Sequence, residues 1–176
     1  MSREVFIDSF NLLHNATSNT KLLDFQYRLL HNTITTNILL KKWGIKDDES
    51  CTFCKGPIET IDHLSINCLH SRCIWREMFH YISIHSGVYI NLENAEILLG
   101  VREKPCDKFY NTICIITKQY IYACRCRNVK PTFTTLLEKI RFEKIVEHSI
   151  SISNNKVTEW NKKWELLSHL VFSSQD

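Results

Sequence analysis

Residues 51 to 68 constrain this chain more than any other stretch. They read C-T-F-C-K-G-P-I-E-T-I-D-H-L-S-I-N-C, which is C-x2-C-x8-H-x4-C in spacing notation. Two thiolates separated by two residues can grip one ion from a tight turn. Gly56 and Pro57 favour a chain reversal just after them. The reversal would bring His63 and Cys68 back to complete a tetrahedron around the ion held by Cys51 and Cys54. Three sulfurs and one imidazole suit Zn(II), which takes four soft or borderline ligands without redox change. With all four positions filled by protein, the site is structural and leaves no place for a reacting water. The plain alternative is buried free thiols, since cysteine is among the most buried residue types. His70 and Cys73 lie close in sequence and could replace His63 or Cys68. The set Cys51, Cys54, His63 and Cys68 closes the smallest loop.

The rest of the chain reads as mainly α: a helical domain with an embedded zinc-binding hairpin. Four Gly and three Pro in 176 residues leave little material for many-turned β architecture. The expected helices cover 21–31, 37–43, 59–81, 95–99 and 107–128, then a helix from Thr132 onward and a last one from Val157. Thr60 is placed to cap the helix over 59–81, and Gly44 to end the one before the motif. One conflict is visible within the motif. An ideal helix sets residues i and i+5 about 140° apart, so His63 and Cys68 cannot both face one ion from a regular helix. The expected organisation is residues 1–100 as a helical region holding the motif and 101–176 as a basic helical tail packed on it, together one compact domain.

Net charge is +3 and unevenly spread. Residues 1–100 carry nine Lys/Arg against eleven Asp/Glu, and residues 101–176 carry thirteen against eight. Between Lys108 and Leu137 there are five basic residues and no acid, which points to a basic face in the C-terminal half. On a helix over 107–128, Lys118, Tyr122 and Arg125 fall opposite the apolar stripe of Ile113, Ile116, Tyr120 and Cys124, and Arg127 and Lys130 extend the charge. Lys118, Arg125, Arg127 and Lys130 are candidates to neutralise phosphates, with Tyr122 placed to stack on a base. No signal peptide and no membrane-spanning run are legible, so the eight cysteines fit a reducing, intracellular setting, nuclear or cytoplasmic. Asp47-Asp48 reads as a solvated loop rather than a metal dyad. Asp62 beside His63, and His70 near Cys73, can be drawn as catalytic pairs, but no oxyanion-stabilising glycine loop accompanies them and no enzyme is expected.

These residues together resemble the C-terminal zinc-binding region that follows the reverse transcriptase domain in LINE-type (non-LTR) retrotransposon polyproteins. The resemblance runs over about residues 20–168. It is carried by Phe25-Gln26-Tyr27-Arg28-Leu29-Leu30-His31, Thr36-Asn37, Trp43-Gly44-Ile45 and Cys51-Thr52-Phe53-Cys54. It continues through Glu59-Thr60, His63-Leu64, Cys68, Trp75, Lys118 to Tyr122, Cys124-Arg125, Lys130-Pro131 and Trp160 to Trp164. Ser65 departs from the family, which usually has an aromatic there. The resemblance implies an RNA-binding retroelement module. It supports Cys51, Cys54, His63 and Cys68 as the ligands. No polymerase palm or endonuclease motif is present in these residues. The expected partners are RNA or a DNA-RNA hybrid and an attached or separate reverse transcriptase domain. The alternative is a protein-interaction module, with Trp160 and Trp164 docking on such a partner.

Overall fold

A computed structural model describes residues 3–102 and 104–170. Among these the chain forms helices and no named strand. The elements are α1 (Arg3–His14), α2 (Thr20–Leu30), α3 (Asn37–Lys42), a π-helical turn (His63–Asn67), α4 (Leu69–Ser86), α5 (Asn94–Leu99), α6 (Asp107–Cys126), α7 (Phe133–Ser153), α8 (Val157–Lys163) and a 3-10 turn (Glu165–Leu167). The mainly helical expectation holds. No helix of the described residues is long and apolar enough to cross a membrane.

The helix ends follow local chemistry. Asn19 caps α2, its side chain accepting the Lys21 N–H. Gly44 follows α3 with φ +69°, and Gly87 ends α4 with φ +68°. Both are left-handed conformations that cost glycine little. Glu93 and Glu96 form a reciprocal capping box at the start of α5.

Helix α6 is the centre of the molecule. It packs against α1, α2, α5, α7 and the π-helical turn, and its buried residues from Phe109 to Cys124 lie on every side of it. The sequence pattern gives α6 an outward face through Lys118, Tyr122 and Arg125. The structure corrects this, because neighbouring elements cover that side. Lys118 is 1% exposed, and its ammonium donates to the Leu98 carbonyl in the last turn of α5 at 3.1 Å. Tyr122 packs its ring against Phe25 of α2 and bonds the Thr35 hydroxyl at 2.6 Å.

Helix α7 also departs from its sequence pattern. Its first half buries Leu136 and Ile140, but its second half turns Glu143, Lys144 and Glu147 inward and leaves Phe142, Ile145 and Ile152 exposed. Each inward charge has partners. Glu143 accepts from Asn19 and Lys139. Glu147 accepts from Thr17, Lys163 and the Trp164 indole. Lys144 donates to the carbonyls of Leu167, Ser168 and Leu170, tying the end of the described chain to α7. Trp164 is thereby a core residue, while Trp160 is half-buried against His148.

Candidate metal centre

The motif folds as a knuckle followed by a broken helix. Ser50 and Ile58 form an isolated antiparallel bridge, with Cys51 N–H donating to Pro57 O at 3.0 Å and Glu59 N–H to Glu49 O at 2.8 Å. Between them the chain turns tightly, Lys55 N–H returning to Cys51 O at 2.9 Å. The left-handed residue of this turn is Lys55, with φ +57°, and Gly56 and Pro57 follow it where the chain reverses, as expected. Asp48 supports the approach by accepting both the N–H and the hydroxyl of Ser50. Those bonds hold its carboxyl below the usual range.

Beyond the knuckle, Thr60 caps the next turn by accepting His63 N–H at 3.0 Å, as its position in the sequence indicates. The conflict between His63 and Cys68 is then resolved by backbone geometry. From His63 to Asn67 the chain winds as a π-helix, and Cys68 N–H donates five residues back to His63 O at 2.7 Å. A wider turn brings i and i+5 into line where an α-helix would set them apart. Cys68 itself leaves the helical region, at φ −59° and ψ 138°. The carbonyls freed by this break are taken by side chains of α4. Ser71 Oγ donates to Leu64 O at 2.6 Å, and Trp75 Nε1 to Ser65 O at 2.7 Å, both in the interior. The helix expected over 59–81 is therefore two pieces with the fourth candidate ligand at the joint.

The ligand atoms of Cys51, Cys54, His63 and Cys68 all lie within 4.8 Å of one another. The Cys51 and Cys68 sulfurs are 3.7 Å apart, and Cys54 Sγ is 3.5 Å from His63 Nε2. Metal–sulfur bonds of ~2.3 Å and metal–nitrogen bonds of ~2.0 Å set tetrahedral edges of roughly 3.8 Å between sulfurs and 3.5 Å from sulfur to nitrogen. The residues therefore fit a four-coordinate ion. Cys51 and Cys68 are buried, and Cys54 and His63 half-buried. The Cys51 thiol donates to Cys68, and that bond, with burial behind it, pushes Cys51 up to about 12; the same bond holds Cys68 below the ordinary thiol value. His70 packs edge-on against Phe53, and Cys73 sits beside Arg76, so neither joins the cluster. All eight cysteines are free of disulfides.

Residues 2–75 match the family model described as zinc-binding in reverse transcriptase. The match takes in α1 to α3, the knuckle, all four clustered ligands and Trp75, and it ends inside α4. No curated protein matches the chain. The zinc-binding motif and its helical surroundings thus agree with the geometry, and helices α5 to α8 lie beyond the matched segment.

The residues proposed from sequence for nucleic acid do not form one face. Lys118 is buried, and its burial lowers its pKa to about 8. Arg125 is held inside by Glu59 at 2.9 Å and Asn37 at 2.7 Å. Tyr122 has its hydroxyl on Thr35 and its ring on Phe25. Arg127 and Lys130 are exposed. Lys42 and Trp43, outside the set expected from sequence to contact nucleic acid, are exposed at the end of α3, Trp43 by 52%. An aromatic following Lys41 and Lys42 is the signal in the sequence, and it coincides with the end of a helix.

Proposed function

We propose that this protein is a non-catalytic zinc-binding module of retroelement origin, of the LINE type, whose outer surface beside the knuckle binds RNA or a DNA-RNA hybrid. The observation that carries the zinc reading is the convergence of three sulfurs and one imidazole nitrogen at tetrahedral spacing inside the segment that matches the reverse-transcriptase zinc-binding family. Cys51, Cys54, His63 and Cys68 would hold the ion, whose contribution is to fix the knuckle against α4. Four protein ligands leave no open position, which suits a structural rather than a hydrolytic role. An intracellular location, nuclear or cytoplasmic, fits thiols that must stay reduced.

The nucleic-acid surface in this reading is not the covered side of α6. Arg125 joins the end of α6 to the start of α3 through Asn37. Arg127 and Lys130, the next exposed cations after it, and Lys42 and Trp43 at the other end of α3 are the groups this reading assigns to the nucleic acid. Cations would contact phosphates, and the indole offers a stacking surface. Titration of a fluorescent single-stranded RNA against salt tests this. Replacing Arg127 and Lys130 with Ala should weaken binding and reduce the magnitude of the log–log salt slope by about one per lost phosphate contact. Trp43→Ala should weaken binding by about 1–3 kcal/mol with the slope kept. Unchanged binding in both variants would exclude this surface.

A second reading, docking on a polymerase domain or another protein, is favoured by the exposed stripe of Phe142, Ile145 and Ile152 on α7. Phe142→Asp should then abolish capture of a reverse transcriptase domain after nuclease treatment and leave RNA binding intact. Capture unaffected by this variant would count against the stripe.

A further inference from the structure

Glu59 lies five residues after Cys54 and is not a candidate ligand, yet its carboxylate is fully buried. Its Oε2 accepts the Thr52 N–H at 2.7 Å. Its Oε1 accepts the Asn37 N–H at 3.0 Å and Arg125 Nε at 2.9 Å. Arg125 also donates through Nη2 to Asn37 Oδ1 at 2.7 Å, and Asn37 Nδ2 donates to Ser50 O at 2.6 Å and to Thr52 Oγ1 at 3.2 Å. Ser50 and Thr52 are the two neighbours of Cys51. The backbone on both sides of the first cysteine is thus held by one buried polar network, whose cation comes from α6, more than fifty residues away in sequence.

We propose that Glu59 and Arg125 are positioning residues of the metal site, setting the Cys51–Cys54 turn for coordination from outside the motif. The network has the parts this role needs. An ionised carboxylate takes three donors, so it is well satisfied in a dry setting. The guanidinium fork reaches Glu59 and Asn37 together, which a lysine ammonium cannot reproduce with the same geometry. Removing one member leaves the others buried and unpaired, which is the costly way to break such a network. The network also gives α6 a structural reason to end in arginine at this position, independent of any nucleic acid. Partners outside the ligand shell that orient metal ligands typically change metal affinity by about 10- to 100-fold when lost.

This inference rests on the zinc reading, and the test separates the two. Zinc affinity of the full chain is measured by competition with a chromophoric chelator, and Co(II) spectra report the coordination sphere. Wild type should bind one ion tightly with a tetrahedral Co(II) spectrum; absence of binding there would sink the zinc reading itself. Arg125→Met and Glu59→Gln should each weaken zinc binding about 10- to 100-fold while keeping the tetrahedral Co(II) signature, with Arg125→Lys recovering only part of the loss. Variants that bind zinc as tightly as wild type would overturn the inference. If the variants fail to fold, amide hydrogen exchange on wild type decides. Coupling is reciprocal, so zinc should slow exchange at both Thr52 and Asn37 by 10-fold or more. Protection confined to the knuckle, with Asn37 unchanged, would overturn it as well.

Discussion

Lys118 shows most directly how far a single residue's pattern can mislead. Three residues at positions i, i+4 and i+7 opposite an apolar stripe describe a solvent face, provided nothing packs there. The segment around Leu98 packs there and takes the ammonium through one carbonyl. Burial lowers the Lys118 pKa from 10.5 to about 8. A lysine with a lowered folded-state value opposes folding fully below pH 8, where it is charged in both states. The opposition fades as pH rises from about 8 to 10.5, because the unfolded chain then binds more protons. Lys118→Met should therefore leave RNA affinity unchanged, because that side chain does not reach solvent. It should raise stability below pH 8 by on the order of 1–3 kcal/mol and flatten this part of the pH–stability curve. The Leu98 carbonyl keeps a donor in the variant, the Gln26 amide at 3.2 Å. Chemical denaturation at pH 7 and pH 10 checks both statements, and a large loss of stability at pH 7 would contradict them. The clustered residues were legible at this scale for the opposite reason. A metal site is encoded by residue type and spacing within one short segment, so its ligands can be named before the distant contacts that orient them are known.

At the level of elements, the conflict between His63 and Cys68 was visible before any coordinates, but its solution was not. The spacing shows only that a regular helix fails. That the backbone widens into a π-helical turn and then stops depends on donors supplied later, by Ser71 and Trp75 of α4. Trp75 thus does more than fill the core, because its indole N–H satisfies the Ser65 carbonyl at the joint. Trp75→Phe keeps most of the apolar bulk and removes that donor, leaving a buried carbonyl unpaired at a cost of about 1–3 kcal/mol. The expected result is lower thermal stability together with weaker metal binding, because the turn carrying both His63 and Cys68 is loosened. Full metal affinity in a merely destabilised variant would show the joint to be independent of the site. Helix α1 was not legible at all. Its inward side mixes Ser9 with Phe10 and Leu13, while Val5 and Ile7 are exposed, so the apolar residues are spread around the helix and blur its stripe. The second half of α7 inverts its hydropathy in the same way, with Glu143, Lys144 and Glu147 inside, because those charges find partners that a local pattern does not reveal.

On the scale of the whole molecule, helices fixed by apolar burial surround α6, and the knuckle is attached to them by two kinds of link. One is the proposed ion, joining the knuckle to the break before α4. The other is the Glu59–Arg125–Asn37 network, joining the knuckle to α6 and α3. Removing the ion should consequently loosen the region around residues 45–75 while α6 and α7 stay folded, their packing resting on the main apolar core. Circular dichroism before and after a strong chelator should lose only a minor part of its helical signal; complete unfolding would mean that metal holds the entire fold. Structural zinc in small peptides contributes roughly 10–16 kcal/mol of apparent binding free energy near neutral pH, so the site should stay loaded through purification. The most direct test is therefore the metal content of freshly purified protein, by native mass and elemental analysis, beside a Cys51→Ser variant. One zinc per chain in the wild type, lost or sharply reduced in the variant, is the predicted result. A metal-free wild type, or zinc retained undiminished without the Cys51 sulfur, would contradict it.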